Sequence, residues 1–439
     1  MSTSFPTRTN TEPLTLVRWL DQPRSPRWSI ASWIVATAVF IGVTTVLGGL
    51  TSLDALLSTY TSWSIAHGNV ACAYPPGSSV YFPLTAPLYP AVAGGLAALF
   101  RVGHGIPFPN QAALGHSCLT WLAPMTRWSN RTHALTTTLR FGYVGWCALA
   151  AGIVAIMRSS GRGRNGWEPA ALIAVACTPP VFMCLQNLFH PQDLLAMGLI
   201  LLSVSCAQRN AWIWAGVCIG LAFSSQQFAL LAAALLFVIV PAKRRLAFSL
   251  SSVATIALIV VPLMALSSGR ALRVALTGSS QGGALVTSIP WELHFTGTDA
   301  NDVLRALPVI AVVGLALWAR RRLANAVMEP VVLLSLLATS LALRLVFEGG
   351  LYGYYFMASA VAIVLLDFVR RTFRVEVILW LALVALVFSP LPWGHDRLTY
   401  GVNMWVWQLV LVPPTVALAI SPLLGRIKRQ RSSAAYPTS

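Results

Sequence analysis

The sequence predicts an all-α, polytopic membrane protein, and three observations carry that prediction. Apolar runs of about 18 residues or more recur from end to end, each long enough to cross a hydrocarbon core of roughly 30 Å. Of the 439 residues, 56% are hydrophobic and 10% are charged, whereas an ordinary soluble domain carries roughly 25% charged residues. Basic residues gather where the apolar runs end: Arg158/Arg162/Arg164, Lys243/Arg244/Arg245, Arg320/Arg321/Arg322, Arg370/Arg371/Arg374 and Arg426/Lys428/Arg429/Arg431. In a soluble chain the net charge of +17 would point to nucleic acid. Set at membrane exits, the same charges read as anchors of cytoplasmic loops, so the expected partner is the lipid bilayer and no nucleic acid.

Counting apolar runs against these clusters gives the order of the elements. A first helix at about 29–50 leads out, after a polar segment, 1–28, that holds Arg18, Arg24 and Arg27. That run is too long for the apolar core of a cleavable signal peptide, so none is expected. A long exterior segment, about 51–137, precedes a helix at 138–157 that returns to Arg158. Helices follow near 169–187 and 192–207, then two short ones near 211–224 and 226–242. The run 246–267 leads to a second exterior loop, about 268–302. Runs at 303–319, 328–346, 353–369, 375–391 and 402–424 complete the membrane domain, 29–424. About twelve spans result, with both termini cytoplasmic; the flanks 1–28 and 425–439 are expected to be disordered.

One run breaks the alternation. "LTAPLYPAVAGGLAALFRVG", 84–103, is long enough to span, but a single crossing there would turn every later basic cluster outward. Its Pro87, Pro90 and paired glycines suit a re-entrant or membrane-surface element resting on other protein.

Cys147, Cys177, Cys184, Cys206 and Cys218 lie in apolar runs and read as small core residues. Cys72 and Cys118 both fall in the first exterior segment, where an oxidising exterior permits a disulfide; two free thiols are the alternative. "GRGRNG", 161–166, matches a nucleotide-binding glycine pattern but follows no strand, so the match is rejected. No Cys/His spacing suggests zinc, and no metal or cofactor is expected.

Scarce polar residues near the exterior ends mark where chemistry can sit. Asp54 follows the first helix at once. It fits a helix cap before "ALLSTYTSWSI", and it also fits a general base, because desolvation at an apolar–water boundary favours the proton-holding form of a carboxyl group. Tyr60 and Trp63 behind it suit either a platform for a sugar ring or interfacial anchors. In "NLFHPQDLL", Asn187, His190, Gln192 and Asp193 sit between two apolar helices. His190 and Asp193 at i, i+3 can share a face as a relay or substrate contact; alternatively Asp193 caps the next helix. "SSQQF", 224–228, separates the two short helices, so Gln226 and Gln227 either bond substrate hydroxyls or fill a polar helix contact. In "LRLVFEGGLYGYYF", 343–356, Arg344 and Glu348 are placed for an i, i+4 ion pair. The Arg344 fork also suits a phosphate, flanked by Tyr352, Tyr354 and Tyr355. Arg270 and Arg273 in the second exterior loop are weaker candidates for phosphate contact.

This layout resembles the integral-membrane glycosyltransferases of the GT-C superfamily, and most of all the actinobacterial polyprenyl-phosphate-mannose-dependent mannosyltransferases. The resemblance rests on "LDALLSTYTSWSIAHGNVACAYPP", 53–76, on 187–238 with its paired helices around a Gly-rich turn, and on "GYYFMASAVAIVLLD", 353–367. The family's lysine near Gln226–Gln227 has no counterpart here. The resemblance implies a polyprenyl-phosphate sugar, mannose foremost, as donor and an envelope glycolipid or polysaccharide as acceptor. It also implies a bacterial plasma-membrane location with an exterior active site. Asp54 would then deprotonate the acceptor, and arginines such as Arg344 would stabilise the departing phosphate. A multi-pass transporter or lipid flippase, and a non-catalytic subunit of the same fold, are the competing readings.

Overall fold

The computed structural model describes residues 19–22, 26–47, 131–163, 165–185, 190–266, 293–294, 298–348, 351–388 and 404–435. These residues are predominantly helical, without a strand among them. They form α1 (Pro26–Leu47), α2 (Arg131–Ser159), α3 (Trp167–Ala176), α4 (Pro179–Met183), α5 (Pro191–Gln208), α6 (Trp212–Ser225) and α7 (Ala229–Ile239). Then come α8 (Ala242–Leu266), α9 (Thr298–Leu323), α10 (Pro330–Phe347), α11 (Met357–Arg370), α12 (Val375–Phe388) and α13 (Met404–Ala435). Six helices are long and apolar enough to cross a membrane, and five shorter apolar helices accompany them among the described residues. The chain is an all-α polytopic membrane protein.

α5 and the α11 segment lie at the centre of the bundle, while α8 is peripheral and exposes most of its length. α2 and α5 run parallel and nearly touch along glycines. A Cβ added at Gly198 would sit 2.3 Å from the Ala148 carbonyl oxygen, and one at Gly152 would sit 2.5 Å from the Gly198 oxygen. Backbone that close cannot yield as a flexible side chain does, so Gly198→Ala must push the two helices apart. We expect it to cost about 1–3 kcal/mol, read as a lower melting temperature of the detergent-solubilised protein. Gly42→Ala on α1, where nothing lies within 4 Å, should leave melting unchanged.

The bundle has two chemically different ends. At one end arginines meet acids and helix termini. Arg158 pairs with Glu168 at 3.1 Å, Arg371 with Asp21 at 3.1 Å and Arg426 with Glu329 at 2.7 Å. Arg374 binds Asp367, and Arg320 donates to the Val238 carbonyl at the C-terminus of α7. α1, α3, α6, α8, α10 and α12 start at this basic end, whereas α2, α5, α7, α9, α11 and α13 finish there. Phe40 of α1 stacks on Trp146 of α2 at 4.5 Å, and the neighbouring Gly145 abuts Pro191. α1 therefore climbs from the basic end toward the N-terminus of α5.

Several expectations need correction. The run 169–187 is not one helix: Thr178 is extended (ψ 121°) before Pro179, separating α3 from α4. Proline forces its predecessor out of helical geometry, which is the cause of the break. α2 begins at Arg131 rather than near 138, because its first turns, "RTHALTTTLR", are polar but helix-competent. α13 continues to Ala435, and Asp21 accepts a bond from the Trp167 indole at 2.9 Å. Of the five cysteines read as core residues, Cys147 and Cys177 are exposed, Cys206 and Cys218 are intermediate, and Cys184 is buried. The segment 84–103 and the pair Cys72 and Cys118 lie outside the described residues.

Candidate functional site

The polar residues opposite the basic end come together from five elements. α5 supplies the first group. Pro191 opens that helix, a position where its missing N–H costs nothing, and His190 occupies the cap position without a side-chain cap bond. Asp193 is thus not the cap; it lies in the first turn, where its charge faces the positive end of the helix dipole. Its carboxylate accepts a hydrogen bond from Gln226 Nε2. The i, i+3 pair diverges: Asp193 turns to α6, while the His190 ring stacks on Tyr354 at 4.0 Å.

α6 and α7 form a short antiparallel hairpin that explains this reach. At 1.5 Å per residue, the 14 residues of α6 rise about 21 Å and the 11 residues of α7 about 16 Å, against roughly 30 Å of hydrocarbon. α6 starts and α7 finishes at the basic end, and each is shorter than a full span. Between them Gln226 is extended (φ −161°, ψ 138°), and its Oε1 accepts the Gln227 backbone N–H at 3.0 Å. The break keeps its backbone bonded: the Gln226 N–H donates to Ala222 and the Gln226 and Gln227 carbonyls accept from Ala229 and Leu230.

α10 contributes the cation. Arg344 pairs with Glu348 through Nε, as its i, i+4 spacing predicted. Its guanidinium also lies over two rings, 4.9 Å from the Tyr355 centroid and 5.4 Å from that of Phe228. Among the described residues no protein hydrogen bond engages Nη1 or Nη2, and the side chain remains 21% exposed. The fork is thus held on one edge by a carboxylate and clamped between rings, with its other edge unbonded among the described residues. Tyr352, Tyr354 and Tyr355 pack on one another with centroids 4.7–5.8 Å apart. Gln408 of α13 closes the group, donating to the Glu348 carbonyl at 2.9 Å.

Of the residues expected from sequence, His190, Asp193, Gln226, Gln227, Arg344, Glu348, Tyr352, Tyr354 and Tyr355 gather here. Asp54, Tyr60, Trp63, Asn187, Arg270 and Arg273 lie outside the described residues. Sequence reasoning passed over Phe228 and Gln408, whose only signals were an aromatic beside "SSQQ" and a lone glutamine in an apolar helix. Among the described residues no three His, Cys, Asp or Glu side chains converge as a metal-ligand set. What the cluster offers is one oriented cation, two carboxylates that only accept, and amides and phenols that both donate and accept. That inventory suits a ligand carrying both a phosphate and several hydroxyls.

Residues 132–348 match the family model for glycosyltransferase family 87. This is a GT-C-type membrane family, and the match supports a membrane glycosyltransferase. The family-87 stretch begins in α2 and ends on Glu348, so it takes in His190, Asp193, Gln226, Gln227 and Arg344. The tyrosines at 352–355 follow it directly, and Asp54 precedes it. No curated protein matches the chain.

Proposed function

We propose that this membrane glycosyltransferase transfers a sugar, mannose by its resemblance, from polyprenyl phosphate to an envelope glycolipid or polysaccharide. The Nη edge of Arg344, unbonded among the described residues while the guanidinium is clamped between rings, is the observation that carries this reading. A lipid-linked phosphate entering at the membrane's edge would meet that fork in a water-poor setting, where a cation stabilises developing negative charge most effectively. Asp54 takes the proton from an acceptor hydroxyl, the oxygen attacks the anomeric carbon, and the bond from that carbon to the phosphate oxygen breaks. The configuration inverts, and polyprenyl phosphate departs toward Arg344, with Arg270 and Arg273 as further contacts. Tyr60 and Trp63 are placed in sequence to shelve a sugar ring. The reaction balances with the glycosyl lipid and acceptor alone.

Sidedness follows from charge. By the positive-inside rule the basic end would face the cytoplasm, so the reading takes both termini as inside and the polar cluster as exterior, in a bacterial plasma membrane by the resemblance. A transporter would need a site reachable from both faces, whereas these polar groups gather at one end. The test is reconstitution. Purified protein in proteoliposomes, given polyprenyl-phosphate mannose and an envelope lipid extract, should release polyprenyl phosphate in step with appearance of a mannosylated product. Translocation of the glycosyl lipid between leaflets without any release would replace this reading by a flippase.

A further inference from the structure

Among the described residues, two polar side chains beside this cluster are buried without a hydrogen-bond partner. Gln192, between Pro191 and Asp193, is 1% exposed, and neither its Nε2 nor its Oε1 has a hydrogen-bond partner. Ser224, two residues before Gln226, is 2% exposed, and its Oγ is equally without a partner. α5 and α6 pack side by side in antiparallel sense, with Asp193 bonded to Gln226 and, further along, Ser203 bonded to the Ala215 carbonyl at 2.7 Å. Both orphaned groups therefore lie at the end of this helix pair where Asp193 bonds Gln226. A buried amide left unpaired is costly, and the nearby serines show the usual remedy: Ser225 bonds the Leu221 carbonyl at 2.9 Å.

We propose that Gln192 and Ser224 form a slot for the hydroxyl groups of the donor's sugar ring. The inference rests on the glycosyltransferase reading and extends it from phosphate to sugar. The chemistry selects the ligand class. An amide and a hydroxyl each donate and accept, as vicinal sugar hydroxyls do, whereas a phosphate only accepts. Asp193 alongside is a pure acceptor that repels an anion and takes an O–H. The phosphate falls to Arg344, one helix away, and the sugar to the α5–α6 pair. A site built to bond hydroxyls also rejects ligands that lack them, because its own groups would then stay unpaired.

Binding to the full-length protein in nanodiscs tests this, with polyprenyl-phosphate mannose and bare polyprenyl phosphate as probes. Wild type should prefer the mannosylated lipid. Gln192→Met, close to isosteric, should weaken it about tenfold, the scale of a lost hydrogen bond, and leave affinity for the bare lipid unchanged; Ser224→Ala should act in the same direction. Melting without ligand supplies the second readout. Since no protein bond is lost, Gln192→Met should melt at or above the wild-type temperature. If Gln192→Met melts lower, the amide serves the fold, through a bound water, and the slot is overturned. If both variants keep the full preference for the mannosylated lipid, the slot is overturned while the glycosyltransferase reading stands. If wild type binds neither lipid, both fall together.

Discussion

Arg344→Ala is expected to lower sugar transfer by about 10²–10³-fold, the usual loss when one preorganised charge stabiliser is removed. The expectation follows from how the residue is held. Glu348 takes Nε and the rings of Phe228 and Tyr355 fix the plane. A guanidinium so constrained spends little conformational freedom when a phosphate arrives. Negative charge on the phosphate grows as the sugar leaves, so the loss should fall on kcat and kcat/KM together rather than on KM alone. Arg344→Lys keeps the charge but neither the fork nor the stacking geometry, and should recover only part of the rate. A structural explanation makes a different forecast. If the arginine served only its ion pair, Glu348→Gln would cost as much as Arg344→Ala. Steady-state kinetics of the three variants, with melting curves to confirm folding, separate these cases. Turnover within threefold of wild type for Arg344→Ala would remove the phosphate role.

How much of this was legible beforehand depended on the range of the interaction. Helices declared themselves through apolar run length, and the Arg344–Glu348 pair through its spacing of four. Where polar residues continue a helix, run length misleads: α2 starts at "RTHAL" and α13 ends in "KRQRSSAA", both outside their apolar cores. The break at Thr178 was written in "TPP" and needed only the proline rule. Contacts between distant segments left no local trace. Asp193 read as a cap because a carboxylate at a helix start normally is one, yet its partner Gln226 is 33 residues away. The rings around Arg344 divide the same way, Tyr355 lying near it in sequence and Phe228 on another element. Gln192 was singled out only as one of the polar residues of "NLFHPQDLL", with no sign of its lack of a partner. Only the partner accounting of a packed bundle reveals an amide that is buried and unbonded.

Asp54→Asn should reduce turnover about 10²–10⁴-fold, the range for loss of a positioned general base, while leaving donor binding and melting untouched. The substitution separates the two roles its sequence position allows. Asparagine caps a helix as well as aspartate does, so a capping Asp54 loses nothing on mutation, whereas a base loses its ability to take a proton. Its kinetic signature should differ from that of Arg344. The acceptor proton moves only in the chemical step, so kcat falls while affinity for the glycosyl lipid holds. Wild-type turnover in Asp54→Asn would shift the proton-accepting role to Asp193, the buried carboxylate already in the cluster. Asp193→Asn would then show the loss instead, with the Gln226 bond still available to the new amide oxygen.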